Sequence, residues 1–140
     1  MSKMELYLKI DPDGTLSWIP LCRKPHYDDI YCGAEAISVQ DLYPVIGCSC
    51  VEQVYTRIRG VVIMVDESGK VKDPPQPVNP LASKLFAGAP FGDVIHGPAV
   101  VFAVRPTPPI GEQDLFPLTK SELNLLSICL GVRIPEVSYV

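Results

Sequence analysis

The chain has 140 residues, a net charge of −4, 47% hydrophobic and 20% charged residues, and an isoelectric point near 5.1. That charge argues against a broad basic face that clamps a nucleic-acid polymer, and the scattered acidic residues argue against an acidic mimic of DNA. The length fits a single domain with its own core, and the excess of apolar over charged residues leads us to expect a homo-oligomer.

No apolar run reaches the ~18 residues of a membrane span, and the start M-S-K-M-E-L-Y-L-K lacks the apolar core of a signal peptide. A soluble, cytoplasmic protein is expected. The cysteines, Cys22, Cys32, Cys48, Cys50 and Cys129, are odd in number and irregular in spacing, so reduced thiols are expected rather than a secreted disulfide framework.

In chain order, Met4 to Ile10 and Thr15 to Leu21 alternate between faces around D-P-D-G and predict a hairpin, with Pro20 ending the second strand or lying at a sheet edge. The stretch from Cys22 to Ala36 has no sustained period and reads as an irregular insertion. Ser38 with Asp41 reads as a capping box opening a short helix that Pro44 kinks or shortens and Gly47 stops. Cys50 to Arg57 alternates and reads as a half-buried strand, while Gly60 to Val65 is continuously apolar and reads as a central strand. Asp66 and Glu67 then enter a tight turn, E-S-G-K, where turn chemistry is the favoured role for both carboxylates.

Asn79 before Pro80 predicts a helix N-cap, with the helix ending at Gly88. Asp93 to Val104 reads as a strand interrupted at Gly97 and Pro98, and R-P-T-P-P-I-G reads as a stiff exposed loop. Thr119 with Glu122 forms a second capping box before the clearest helix, which stops at Gly131; the tail from Arg133 reads as an edge strand. The sum is an α+β chain with one mainly antiparallel sheet and two or three short helices.

Chemistry-bearing residues are few. Cys22, His26, Cys32, Cys48 and Cys50 are of zinc-ligating types, yet their spacing matches no standard knuckle and an extended C-x-C pair points to opposite faces, so free thiols are favoured and no metal is assigned. Phosphate-loop, dinucleotide and serine-hydrolase motifs are lacking, and neither catalytic residues nor cofactors are assigned. Trp18, Tyr27, Tyr31, Tyr43 and Tyr55 could stack on a base, a role core packing explains equally well. The helix start at Asn79 offers backbone donors to an anion, and basic groups lie on flanking segments. The candidate ligand-binding set is Asn79, Ser83, Arg57, Arg59, Lys70 and His96.

The ordered set V-V-I-M-V-D-E-S-G-K, N-P-L-A-S-K-L-F, G-D-V-I-H-G-P-A-V-V-F-A and L-T-K-S-E-L resembles domain-of-unknown-function family 3846, over about Ile37 to Leu126. Glu67, Gly69, Asn79, Ala82, Asp93 and Gly97 carry the resemblance. It implies small proteins of phages and mobile elements and brings no catalytic residues. The leading expectation is a non-catalytic anti-defence or accessory protein that sequesters a small anionic, nucleotide-type ligand. A protein-binding module that inhibits or adapts a host enzyme is the alternative, and a small hydrolase or phosphodiesterase using His96 or Cys32 is a third.

Overall fold

The computed structural model of the chain describes residues 3–25, 35–107 and 112–137. Strands Lys3–Ile10 (β1) and Leu16–Pro25 (β2) form the expected hairpin, in register from Lys3 opposite Arg23 to Ile10 opposite Leu16. Its turn follows from D-P-D-G: the Asp11 carbonyl accepts from the Gly14 N–H, the Asp13 carboxylate accepts from the Thr15 N–H at 2.9 Å, and Gly14 takes a φ of +90°. Only a residue without a Cβ enters that region freely. Pro20 does not end β2. It lies opposite Leu6, outside the Arg23 to Pro25 stretch that pairs with Glu35–Ile37 (β3), where an edge position tolerates the missing N–H.

Val39–Leu42 is a single 3-10 turn and Tyr43–Ile46 (α1) a single α-helical turn closed by Gly47 at φ +80°. The Ser38 and Asp41 capping box does not form, since the Ser38 side chain makes no capping bond. Pro44 instead sits in the first turn of a new helix, where its lacking donor is harmless. Val51–Tyr55 (β4) and Val61–Asp66 (β5) pair as an antiparallel hairpin. All six residues of β5 are buried. Val61, Ile63 and Val65 pack on one face with Ala82, Leu85, Leu126 and Leu130, while Val62 and Met64 pack on the other with Tyr7, Leu42 and Phe102. A strand covered on both faces has no polar side to show, which is why its sequence does not alternate.

Helices Pro80–Leu85 (α2) and Lys120–Leu130 (α3) cover the first face, and strands Ala99–Thr107 (β6) and Glu112–Phe116 (β7) complete the sheet. The order is β3-β2-β1-β6-β5-β4, with β7 also on β6, and every pairing is antiparallel. The fold is therefore α+β. β6 borders β5 along one side; along the other, Ala99 to Val101 meet β1 and Ala103 to Thr107 meet β7.

Some expectations fail for local reasons. Asp93 to Gly97 is not strand: Gly97 takes φ +83° and Pro98 follows, so β6 begins at Ala99 and His96 makes only an isolated bridge to Val78. The sequence read as a proline loop is strand as far as Thr107, and β7 was not anticipated. β3 and the end of β2 likewise lie in what read as an irregular insertion; residues 26–34, which include His26 and Cys32, lie outside the described residues. The described part of the tail forms no strand. It is held where the Trp18 indole N–H donates to the Pro135 carbonyl at 2.8 Å.

The second face contains a buried polar group. Arg23, 7% exposed, donates from Nε to Glu5 at 2.7 Å and from Nη2 to the Leu115 carbonyl at 2.6 Å, and its guanidinium lies 4.5 Å from the Phe116 ring centre. This ties β2 to β7 across the sheet. The Tyr7 hydroxyl donates to Glu5 at 3.1 Å, and burial, with the Glu5 carboxylate beside it, pushes the phenol well above its ordinary range.

Candidate functional site

A half-open groove of about 120 Å³ lies where β5 ends, between β4, the end of α2 and the segment before β6. Its walls follow from strand alternation: Val54 of β4 and Val65 of β5 face the helices and, with Phe86 and Ile95, give the groove an apolar floor. Glu52, two residues before Val54 on the same face, and Glu67, just past β5, stand at the rim. Asp66, Asp93, Lys70 and His96 complete the lining.

The turn after β5 is fixed by Asp66. This buried carboxylate accepts from the Ser68 N–H at 2.9 Å and from Gln76 Nε2 at 2.8 Å, and pairs with Lys72. The proline bridge then runs antiparallel to the segment before β6: the Gly97 N–H donates to Pro77 O at 2.7 Å and the Asn79 N–H to Ile95 O at 2.8 Å. His96 Nδ1 lies 2.8 Å from the Gln76 carbonyl, which can only accept, so Nδ1 is the donor in that bond.

Charge in the groove is uneven. Lys70 pairs with Asp93, whose carboxyl that hydrogen bond holds below its ordinary range, and Lys72 pairs with Asp66. Glu52 and Glu67 have no cationic partner among the described residues. The Cys50 thiol donates to Glu67, and that hydrogen bond to a carboxylate raises the thiol's pKa; burial does the same for Cys48. Both thiols are thereby kept in the protonated, weakly nucleophilic form. Among the described residues no group of three or more His, Cys, Asp or Glu side chains is arranged to hold a metal ion.

Of the residues singled out from sequence, Lys70 and His96 meet in this groove. Asn79 and Ser83 are buried beside it and engaged elsewhere. Asn79 Oδ1 accepts from the Ala82 N–H at 3.1 Å, its Nδ2 donates to two carbonyls, and Ser83 Oγ accepts from the Ile95 N–H at 2.9 Å. With Pro80 lacking an N–H and the Ser83 N–H bonded to Asn79 O, only the Leu81 N–H remains without a partner in the first turn of α2. Arg57 and Arg59 are exposed in the β4–β5 turn, separated from Lys70 by the length of β5, roughly 20 Å at strand rise. Sequence reasoning missed Glu52 and Phe86. The alternation of β4 carried a signal for Glu52, since Glu52 and Val54 share a face; nothing local marked Phe86, which reaches the groove because Thr56 bridges to it.

The fold is thus a small antiparallel α+β sheet with α2 and α3 on one face, α1 on the other, and a groove where β4 and β5 meet the end of α2. The family model for the domain of unknown function (DUF3846) matches residues 8–108, and the chain belongs to that family. The match begins in β1, takes in the cysteine-bearing segment, and stops before α3. No curated protein and no solved structure matches the chain.

Proposed function

We propose that this chain is a non-catalytic accessory protein, of mobile-element origin and acting in the cytoplasm, that works by binding a partner protein. One observation carries the reading: the groove at the end of β5 has an apolar floor and two rim carboxylates, Glu52 and Glu67, without cationic partners among the described residues. Such a surface favours a basic side chain, whose aliphatic stem packs on Val54 and Phe86 while its charged head meets the rim. The raised pKa values of the Cys48 and Cys50 thiols argue against either of these two as a nucleophile.

The second reading, a sponge for a small anionic ligand, draws on Lys70 and His96, which both line the groove. Against it stand the excess of carboxylates and a volume of about 120 Å³, below the ~300–1,000 Å³ usual for sites that enclose a drug-sized ligand. The discriminating experiment compares the wild type with the double variant Glu52→Lys/Glu67→Lys. A partner captured by the wild type and released by charge reversal supports the binding reading; a rise in melting temperature with cyclic nucleotides or ADP-ribose, in place of such a partner, overturns it. Native mass spectrometry of the same samples reports the subunit number.

A further inference from the structure

We propose that β4 is a docking edge for an extended basic segment of the partner, which adds as a further strand and lays an arginine or lysine between Glu52 and Glu67. This inference rests on the binding reading above and names the chemistry of its partner.

The free edge is defined by hydrogen-bond parity. The Glu67 N–H donates to Cys50 O on the β5 side of β4, while Tyr55 O accepts from the Ala87 N–H and the Arg57 N–H donates to Leu85 O on the opposite side. N–H and C=O of one strand residue point the same way, and successive residues alternate. Val51, Gln53 and Tyr55 therefore present their backbone groups outward. The chain after α2 occupies that edge at Tyr55 to Arg57, since Thr56 bridges to Phe86. Among the described residues no backbone or side-chain group bonds the outward N–H and C=O of Val51 and Gln53. The open length is short and has a fixed end, which suits a peptide of a few residues.

The faces decide which side chain goes where. In an antiparallel pair directly opposed residues share a face. A residue placed opposite Glu52 thus projects to the side where Glu52 and Val54 line the groove. Charge complementarity then selects its type: Glu52 lies on the edge strand itself and Glu67 stands across Cys50 from it, both lacking a cation among the described residues, so an acidic residue at that position meets repulsion and a basic one a paired carboxylate. Backbone hydrogen bonds supply affinity and the groove supplies selectivity, as in other strand-addition complexes. A second copy of β4 fits less well. Pairing that brings Val51 onto Gln53 sets Glu52 against its own copy, and pairing about Gln53 needs the edge that Ala87 already fills.

The test uses the whole chain, isotopically labelled, and three capped pentapeptides alternating threonine and valine about a central arginine, a central glutamate, or an arginine flanked by N-methylated amides. The arginine peptide is expected to slow hydrogen exchange at the Val51 and Gln53 amides, and to bind at least about tenfold more tightly than the other two. Gln53→Pro, which removes an outward N–H and leaves the β5 ladder donors in place, should abolish the protection at Val51, the amide that still reports; Glu52→Lys, at an exposed position, should weaken the arginine peptide by about tenfold or more. Equal binding of the glutamate peptide, arginine-peptide binding without protection at Val51 and Gln53, or no binding at the highest soluble concentration overturns the inference. A cellular partner that is lost in Glu52→Lys/Glu67→Lys but kept in Gln53→Pro overturns the docking edge alone; one lost in neither overturns the binding reading.

Discussion

The side-chain amide of Asn79 donates to the carbonyl of Ile10 at 2.8 Å, joining the cap of α2 to the end of β1, and a second bond at 2.9 Å reaches Gly97 O. Asn79 is wholly buried, and its Oδ1 holds the Ala82 N–H. Replacement by alanine removes the cap and leaves two buried carbonyls without these donors, so Asn79→Ala should cost about 3 kcal/mol in urea unfolding. Asn79→Asp keeps the cap acceptor but supplies no donor and buries a charge; it should destabilise at least as much. A loss below about 1 kcal/mol for either variant would mean that these bonds contribute little to stability.

Gly97 should not tolerate any side chain. Its φ is +83°, and a Cβ there would come within 1.8 Å of Gln76 Oε1. Gly97→Ala combines left-handed strain with overlap, for a loss of roughly 2–4 kcal/mol. Shortening the obstacle separates the two terms: in Gln76→Ala the same substitution should cost less, and thermal melts of the four proteins measure the difference.

Arg23 and Glu5 form an ion pair with both side chains largely buried. Removing one partner leaves the other charge uncompensated, so Arg23→Ala should lower stability by about 3–5 kcal/mol and loosen β7, which loses the bond at Leu115 O. Arg23→Met combined with Glu5→Gln removes both charges and should recover part of that loss. Hydrogen exchange along β7 should rise in the single variant and fall back in the double.

The capping box at α3 gives a pH dependence. Burial opposes ionisation of Glu122, but the Thr119 N–H, the Arg105 guanidinium and the Thr119 side chain outweigh it and hold the carboxyl below its ordinary value of 4.5. A folded-state pKa below the unfolded one means stability that is full above 4.5 and lost as pH falls through the lowered value. Arg105 is partly exposed, so screening keeps the effect near 1 kcal/mol. Glu122→Gln should therefore be less stable than wild type at neutral pH, and the gap should close in acid; a gap that persists there would point to packing.

How far the sequence was legible depended on whether a signal was local. β5 announced itself because five successive apolar residues suit only a strand covered on both faces, and the α3 box formed as written, both bonds included. The same reasoning failed at Ser38, where the motif was present and Pro44 restarted the helix. β7 and β3 were unreadable because they depend on partners: β7 is held against β6 and the Arg23 guanidinium, β3 against the far end of β2. The groove was half legible. Lys70 and His96 were named from sequence, whereas its acidity arises from Glu52, Glu67, Asp66 and Asp93, which β4, the turn after β5 and the segment before β6 bring together.

The position of β6 sets an order on how the chain comes to be folded. Both hairpins, β1–β2 and β4–β5, close through neighbouring residues, yet neither touches the other in the sheet except through β6. A ribosome that has released the first ninety or so residues has made two separate ribbons, each with an apolar flank and nothing to join it, on the order of the marginal stability of any lone hairpin. Ala99 to Thr107 follows both hairpins in the chain and is received on both sides at once, so the long-range pairing waits until this strand is made. A nascent chain halted before Ala99 should expose the flanks of both ribbons to chaperones, and one released past Phe116 should not.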